Sequence, residues 1–128
     1  MKKYGVLSYN SINIGDEIQS IAASRFIPEA NYHINREKMS LFRSENEDHD
    51  ISLIMNAWYM WRPSKFVPPT SIRPLLISMC IGKRIQSKLF LKKKVKDFLI
   101  QNGPVGCRDI RTLNYLNQNE IPAFFPGV

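Results

Sequence analysis

The chain has 128 residues, of which 44% are hydrophobic and 23% charged, and its formal net charge is +7. This length and composition fit one globular domain with a single core and exclude a largely disordered chain. The positive balance favours anionic ligands, nucleic acid or an acidic partner, but it carries no information about the fold.

The cysteines and the apolar runs bear on the cellular compartment of the protein and on whether it spans a membrane. Cys80 and Cys107 each lie within an apolar run and lack the spacing of a metal site or a redox pair, so we expect free thiols in a reduced, cytoplasmic protein. The first strand pattern begins almost at the N-terminus, which argues against a signal peptide. No apolar window approaches the roughly 20 residues of a membrane span, so none is expected.

The first predicted unit is a strand, a loop and a helix. The apolar run at residues 4–7 predicts the strand, and a helical pattern begins at Gly15. Asp16 is predicted to cap this helix, because its side chain can accept from the free N–H groups of the first turn. Behind it, residues at helical spacing predict an inward apolar face that one arginine interrupts: Ile18, Ile21, Ala22, Arg25 and Phe26.

The middle of the chain alternates strand signals with polar and proline-rich connections. Residues 32–34 predict a short strand, and residues 51–56 and 75–81 predict two buried parallel strands. Within the polar stretch 35–50, four carboxylates cluster at residues 45–50. We interpret this stretch as a solvated loop rather than a metal site, because it lacks the glycine turn and ligand spacing of a calcium loop. Dense prolines predict no regular structure between residues 63 and 74, which places Trp58 and Trp61 at or near the end of a strand, on a long loop.

The C-terminal part predicts two helices and two further strands. Leu91, Val95, Phe98 and Leu99 form one face of a helix that ends at residues 102–103, with lysines on its other faces. Residues 104–108 predict a short strand, and Asp109 caps a helix that turns Leu113 and Leu116 inward. A strand-like run closes the chain at residues 121–128. The alternation of strands and helices predicts a single α/β domain over residues 1–128, a Rossmann-like parallel sheet with flanking helices.

The loop after the first strand is the first candidate for ligand binding. In open α/β sheets such loops line the ligand crevice, and the start of a helix attracts anions. Asn13, Gly15 and Asp16 lie there, but neither the dinucleotide fingerprint nor the phosphate loop is present, so no nucleotide cofactor is indicated. The alternative is that these residues only build the turn and cap the helix.

Aromatic residues and one arginine supply the other candidates. Trp58, Tyr59 and Trp61 follow Asn56 and would offer flat surfaces for sugar rings; alternatively, a tryptophan plugs the core under the loop. Arg108 ends a predicted strand, where it would clamp an anion. It would equally serve as a structural bridge to one of two carboxylates, Asp97 or Asp109.

Two motifs, in the same order, resemble the polysaccharide pyruvyl transferase family. The first is NIGDEIQ at residues 13–19, after the first strand; the second is PVGCRD at residues 104–109, followed by TLNYL at residues 112–116. The resemblance implies the N-terminal half of a two-domain, glycosyltransferase-B-like protein. Such proteins transfer pyruvate as a ketal from phosphoenolpyruvate to sugar hydroxyls in bacterial exopolysaccharide biosynthesis, without a cofactor.

The resemblance also sets expectations for the site. Family proteins are usually more than twice as long, and their donor-binding arginines and histidines are attributed to a C-terminal domain that we do not find in this chain. We therefore expect a chain that is incomplete for catalysis alone, with catalytic residues unknown. The expected substrate-binding residues are Asn13, Gly15, Asp16, Asn56, Trp58, Trp61 and Arg108.

Two alternatives come from other classes of protein. The first is a non-catalytic α/β domain that assembles as a homodimer. The second is a nucleic-acid binder that uses the lysines between residues 83 and 96. This reading is disfavoured because the aromatic residues that would stack on bases lie elsewhere. His33 and His49 lie in a weak strand and the acidic loop, and we expect neither to be catalytic.

Overall fold

The computed structural model describes residues 1–59, 63–89 and 92–127. The strands are β1 Lys3–Ser8, β2 Tyr32–Asn35, β3 Ile51–Ile54, β4 Trp58–Tyr59, β5 Ile72–Leu75, β6 Cys80–Ile81, β7 Val105–Gly106 and β8 Ala123–Phe124. The helices are α1 Ile14–Ser24, α2 Lys83–Leu89, α3 Lys93–Asn102 and α4 Ile110–Gln118, with short 3-10 segments at Arg36–Leu41 and Pro63–Lys65.

All strand pairs in the described chain are parallel. The principal sheet has the order β2-β1-β3-β5, and the pairs β4-β6 and β7-β8 extend it beyond the strand ends. Met79 bridges to Cys107 and so connects β7 to the segment that follows β5. The prediction of an α/β fold with a parallel sheet and flanking helices is confirmed, and this topology is compatible with a Rossmann-like domain.

The predicted strand over residues 75–81 is wrong in its extent. The chain forms β5 up to Leu75, leaves regular structure, and enters β6 at Cys80. Ser78 lies between them with a φ of 52°, the left-handed region that a serine rarely adopts. The prediction of no regular structure between residues 63 and 74 is also wrong at its end, because Pro74 lies within β5. A proline fits there because β5 is the edge strand of the principal sheet.

The core lies between the sheet and the helices of the C-terminal half. The strands and the segments that follow β3 and β5 supply most of its fully buried side chains, and α3 and α4 add Leu99 and Leu116. Edge-to-face aromatic contacts join Tyr59 to Phe66 and Phe66 to Phe98, with ring centroids 5.0 and 5.9 Å apart. These contacts attach α3 to the end of β4.

Helix α3 confirms its prediction. Val95, Phe98 and Leu99 are buried, and the helix ends at Asn102. Leu91 lies outside the described residues. The cap of α4 is confirmed as well, since Asp109 Oδ1 accepts from the Thr112 N–H at 2.8 Å. Leu116 is fully buried and Leu113 packs against the core.

Helix α1 contradicts its prediction in two respects. Its N-cap is Asn13, whose Oδ1 accepts from the Gly15 N–H at 2.9 Å, and not Asp16. Its predicted inward face also points outward: the exposed residues include Ile18, Ile21, Ala22, Arg25 and Phe26. The helix turns Asp16 and Ala23 inward instead. The physical reason is a set of polar contacts under the helix, which the apolar spacing does not report.

Candidate functional site

The order β2-β1-β3-β5 has its topological switch point between β1 and β3. In open α/β sheets, ligands bind in the crevice beyond the carboxyl ends of the two strands at such a point. Polar side chains from distant parts of the chain converge there. We call this group the switch-point cluster; its members are Tyr9, Asp16, Gln19, Arg36, Asn56, Tyr59 and Arg108.

A buried ion pair forms one side of the cluster. Arg36 Nη1 lies 3.1 Å from Asp16 Oδ1, and the two side chains are only 5% and 9% exposed. Arg36 Nε also donates to Glu37 at 2.8 Å, and the Ser11 hydroxyl donates to Asp16. The guanidinium lies 4.6 Å from the centre of the Tyr9 ring, within cation–π range. Asp16 therefore fastens α1 to the residue that follows β2.

Three hydrogen bonds, donated by two side chains, extend the cluster across the sheet. Asn56, just beyond β3, donates from Nδ2 to the Gln19 carbonyl in α1 at 3.0 Å. Arg108, just beyond β7, donates from Nη2 to the carbonyls of Asn56 and Ser78 at 2.8 and 3.1 Å. The left-handed backbone at Ser78 thus belongs to a turn whose carbonyl meets Arg108. Within the described residues, Arg108 pairs with neither Asp97 nor Asp109, nor with any other carboxylate.

Two buried polar atoms of the cluster, Asn56 Oδ1 and Gln19 Oε1, have no hydrogen-bond partner in the part of the chain that the structure describes. The hydroxyls of Tyr9 and Tyr59 are also buried, with the Ser20 hydroxyl and the Ala57 backbone as their neighbours. Burial raises the pKa of both phenols, that of Tyr59 well above its ordinary value, although Arg36 and Arg108 act in the opposite direction. Both hydroxyls are therefore neutral donors at physiological pH. Buried polar groups normally find partners, so these atoms mark a place where water or a ligand group would bind.

A separate shallow cleft lies beside Trp58. Its volume is about 270 Å³, and its lining combines the indole with the side chains of Cys80, Lys83, Asp109 and Arg111. Trp58 is 37% exposed and lies in β4, so it neither plugs the core nor lies on the long loop that was predicted. The buried aromatic residue of β4 is Tyr59, at 3% exposure.

The pKa values of two titratable groups in the cleft are shifted in opposite directions. Burial, with a contribution from the neighbouring Asp109 carboxylate, raises the pKa of the Cys80 thiol to about 11. Partial burial alone would raise the pKa of Asp109, but hydrogen bonds from Cys80 and Thr112 outweigh it and hold this pKa below its ordinary value. The cleft therefore offers an aromatic plane, one stable carboxylate and two exposed cations, with an unreactive thiol.

The predicted substrate-binding residues fall into three groups. Asp16, Asn56 and Arg108 meet in the switch-point cluster, and Trp58 lies two residues beyond Asn56 in the cleft. Asn13 and Gly15 form the cap of α1, where the Asn13 carbonyl accepts from the Asp16 N–H at 3.1 Å and the Asn13 side chain accepts from the Gly15 N–H. Trp61 lies outside the described residues. His33 and His49 are both exposed, and neither belongs to the cluster or the cleft.

Sequence reasoning missed three members of the cluster: Tyr9, Gln19 and Arg36. Tyr9 and Arg36 directly follow β1 and β2, so the rule that crevice residues follow strands would have found them once both strand ends were placed. Gln19 carries no such signal, because its role depends on the side of α1 that faces inward. Tyr59 was a candidate for stacking on a sugar ring, and the structure instead buries it in the cluster.

In the described part of the chain, no group of three His, Cys, Asp or Glu side chains is arranged to hold a metal ion. None of the helices within those same residues has both the length and the apolar character needed to cross a bilayer. Comparisons of the chain with protein-family models, with curated proteins and with solved structures find no match.

Proposed function

We propose that this chain is the Rossmann-like N-terminal domain of a polysaccharide pyruvyl transferase-like protein and forms the acceptor-sugar wall of a two-domain, glycosyltransferase-B-like cleft. One observation carries the proposal: Asp16, Asn56 and Arg108, which come from three distant segments, meet at the switch point beside buried polar atoms that lack partners. Two of them, Asp16 and Arg108, lie in the two motifs on which the resemblance rests.

The chemistry of the site suits a hydroxyl-rich ligand. Asn56 Oδ1 and Gln19 Oε1 are acceptors for sugar hydroxyls, and the neutral phenols of Tyr9 and Tyr59 are donors. Arg108 uses only Nη2 in its two bonds to backbone carbonyls, so Nε and Nη1 are available to an anionic substituent. Asn56 and Trp58 are two residues apart, about 7 Å along an extended chain. One sugar residue would therefore span the distance from the amide to the indole plane.

The division of labour follows from the same resemblance. Ketal formation needs cations for the phosphate and carboxylate of phosphoenolpyruvate, together with a proton donor and a base. Arg36 is occupied by Asp16 and Glu37, and both histidines lie away from the switch point. We therefore assign this domain to acceptor binding in the cytoplasm, and we assign donor binding and chemistry to a second domain.

Saturation-transfer NMR of the purified chain tests this assignment. The probes are glucose, galactose, mannose and N-acetylglucosamine at millimolar concentration, each with and without phosphoenolpyruvate. We expect transfer to at least one sugar without the donor. Arg108→Gln and Trp58→Ala should each weaken it about tenfold, the effect of a loss of about 1.4 kcal/mol in binding free energy.

Arg73→Gln is the matched control for Arg108→Gln, because Arg73 is 67% exposed and pairs only with Asp50 at 3.6 Å. It should bind sugar like the unmodified chain. Absence of transfer to all four sugars, or equal transfer in Arg108→Gln and the control, would contradict acceptor binding at the switch point. Strong binding of phosphoenolpyruvate alone would overturn the assignment of the donor to another domain.

A further inference from the structure

The outer face of α1 and the residues next to it expose five large apolar side chains. Ile14, Ile18 and Ile21 in the helix are 70%, 55% and 59% exposed, Phe26 just beyond its end is 84% exposed, and Ile12 in the preceding loop is fully exposed. The spacing of 14, 18 and 21 is the four-then-three pattern of a helix that packs lengthwise against another helix. We call these five side chains the α1 outer face.

The size of this surface is that of an interface. Each of the five residues is more than half exposed, and contiguous apolar patches of several hundred Å² on a monomer mark interaction sites. A standard specific interface buries about 800 Å² on each partner. The α1 outer face with its immediate rim therefore suffices for a dimer at the small end of the specific range.

The charges beside the α1 outer face indicate its partner. The chain as a whole is strongly positive, yet the exposed charges of α1 and its C-cap are one anion in the first turn, Glu17, and one cation just beyond the helix, Arg25. An antiparallel copy of the same helix places each Glu17 within about one turn of Arg25 on the other copy. It also aligns the two helix dipoles favourably. The face is thus complementary to itself.

We propose that the α1 outer face is a homodimer interface in which two α1 helices pack antiparallel about a two-fold axis. With the axis between Ile18 and Ile21, Ile18 of each copy packs against Ile21 of the partner subunit. Phe26 then reaches the region of Ile14, where Gly15 leaves room for a ring. Such an isologous contact closes on itself, so the expected assembly is a dimer and not a fibre.

This interface is independent of the acceptor-binding proposal. It uses the outward side of α1, whereas Asp16 and the Gln19 carbonyl face the switch point. A chain that binds no sugar would still dimerise, and a monomeric variant would still bind sugar.

Sedimentation velocity over a dilution series tests the interface. The unmodified chain should pass from dimer to monomer with a Kd on the order of micromolar, a value in keeping with a small interface. Ile18→Glu should raise Kd more than tenfold. The matched control is Ile100→Glu, on α3, where the isoleucine is 43% exposed and far from α1 in sequence; it should dimerise like the unmodified chain. Circular dichroism confirms that both variants fold.

Charge reversal tests the antiparallel arrangement itself. Glu17→Arg and Arg25→Glu should each weaken the dimer, because each places like charges at both ends of the helix pair. The double variant restores opposite charges and should recover the Kd of the unmodified chain.

Three results would overturn the homodimer. One is a chain that stays monomeric at 100-fold above the expected Kd, and another is an assembly larger than a dimer. The third is binding of the chain to vesicles of phosphatidylcholine and phosphatidylglycerol, when Ile18→Glu abolishes this binding and leaves the oligomeric state unchanged. That result would assign the face to a lipid surface. A double charge variant that fails to recover would overturn the antiparallel pairing.

Discussion

Helices α1 and α3 have the same kind of amphipathic sequence pattern, but the apolar face of α3 is buried and that of α1 is exposed. Each carries apolar side chains at helical spacing, and in α3 these side chains, Val95, Phe98 and Leu99, enter the core. In α1 the corresponding residues Ile18 and Ile21 remain more than half exposed. Periodicity therefore locates an amphipathic helix, but the neighbouring elements decide which face is buried.

The inward side of α1 is held by specific polar contacts. Ser20 donates its hydroxyl to the Leu7 carbonyl in β1, Asn56 donates to the Gln19 carbonyl, and Asp16 pairs with Arg36. Helix α3 has apolar contacts in the equivalent position. The stability of the two helices should accordingly respond to different substitutions.

The largest effect is expected when the buried ion pair of α1 is broken. Arg36→Ala leaves the Asp16 carboxylate buried without its cation, which should lower the free energy of unfolding by about 3–5 kcal/mol. Urea unfolding measures the change. Arg73→Ala removes the exposed pair with Asp50 and should cost less than about 1 kcal/mol. Equal costs for both substitutions would contradict a specific anchor under α1.

A truncation in the core of α3 should come next. Leu99 is fully buried, and Leu99→Ala should lower the free energy of unfolding by about 2–5 kcal/mol because it leaves a cavity. Ile21→Ala on the outer face of α1, measured at a concentration where the chain is monomeric, should change it by about 0.5 kcal/mol or less. A large cost for Ile21→Ala in the monomer would show that α1 packs with its apolar side inward.

A smaller effect isolates one hydrogen bond under α1. Ser20→Ala leaves the Leu7 carbonyl without the hydroxyl that it accepts from, and should cost about 1 kcal/mol in unfolding free energy. Ser24→Ala is the matched control in the same helix, because its hydroxyl donates to the Ile21 carbonyl on the exposed side. That variant should be close to neutral in the same urea titration.

The last effect is confined to alkaline pH and concerns the half of the molecule around α4. Burial raises the pKa of the Cys80 and Cys107 thiols from the ordinary 9.0 to about 11. The unfolded chain therefore loses these protons first, and stability should fall as pH rises from 9 to 11. The double variant Cys80→Ala/Cys107→Ala should show a shallower fall over that window. An unchanged slope would mean that the thiols are not protected from deprotonation.

Much of the fold was predictable, because strands and helices leave strong local signals. The parallel α/β class, α3 and the Asp109 cap all depend on apolar runs or on residues next to a helix start. Three features were not predictable: the split of residues 75–81 at Ser78, the reversal of α1, and the Asn13 cap in place of Asp16. The split at Ser78 and the reversal of α1 depend on tertiary contacts, and an apolar pattern does not show which way a helix face points. The Asn13 cap is a local contact, but Asp16 is unavailable as the cap because it pairs with Arg36.

The candidate site was predictable in part. Asn56 and Arg108 were found because residues just beyond strands meet at one edge of a parallel sheet, and Asp16 because it lies at the start of the first helix. Tyr9 and Arg36 directly follow strands and were overlooked. Gln19 became visible only when the inward side of α1 was known, since nothing in its immediate sequence distinguishes it.

Pro74 has a consequence for how the protein avoids aggregation. Met55 N donates to the Leu75 carbonyl, so the peptide groups of Leu75 point toward β3. Because successive residues of a strand alternate in this respect, those of Pro74 point away from the principal sheet. A proline has no N–H to offer there, and an incoming strand from another molecule would lose a hydrogen bond at the middle of β5. The proline thus acts as a gatekeeper that keeps an otherwise open edge from templating intermolecular β-structure.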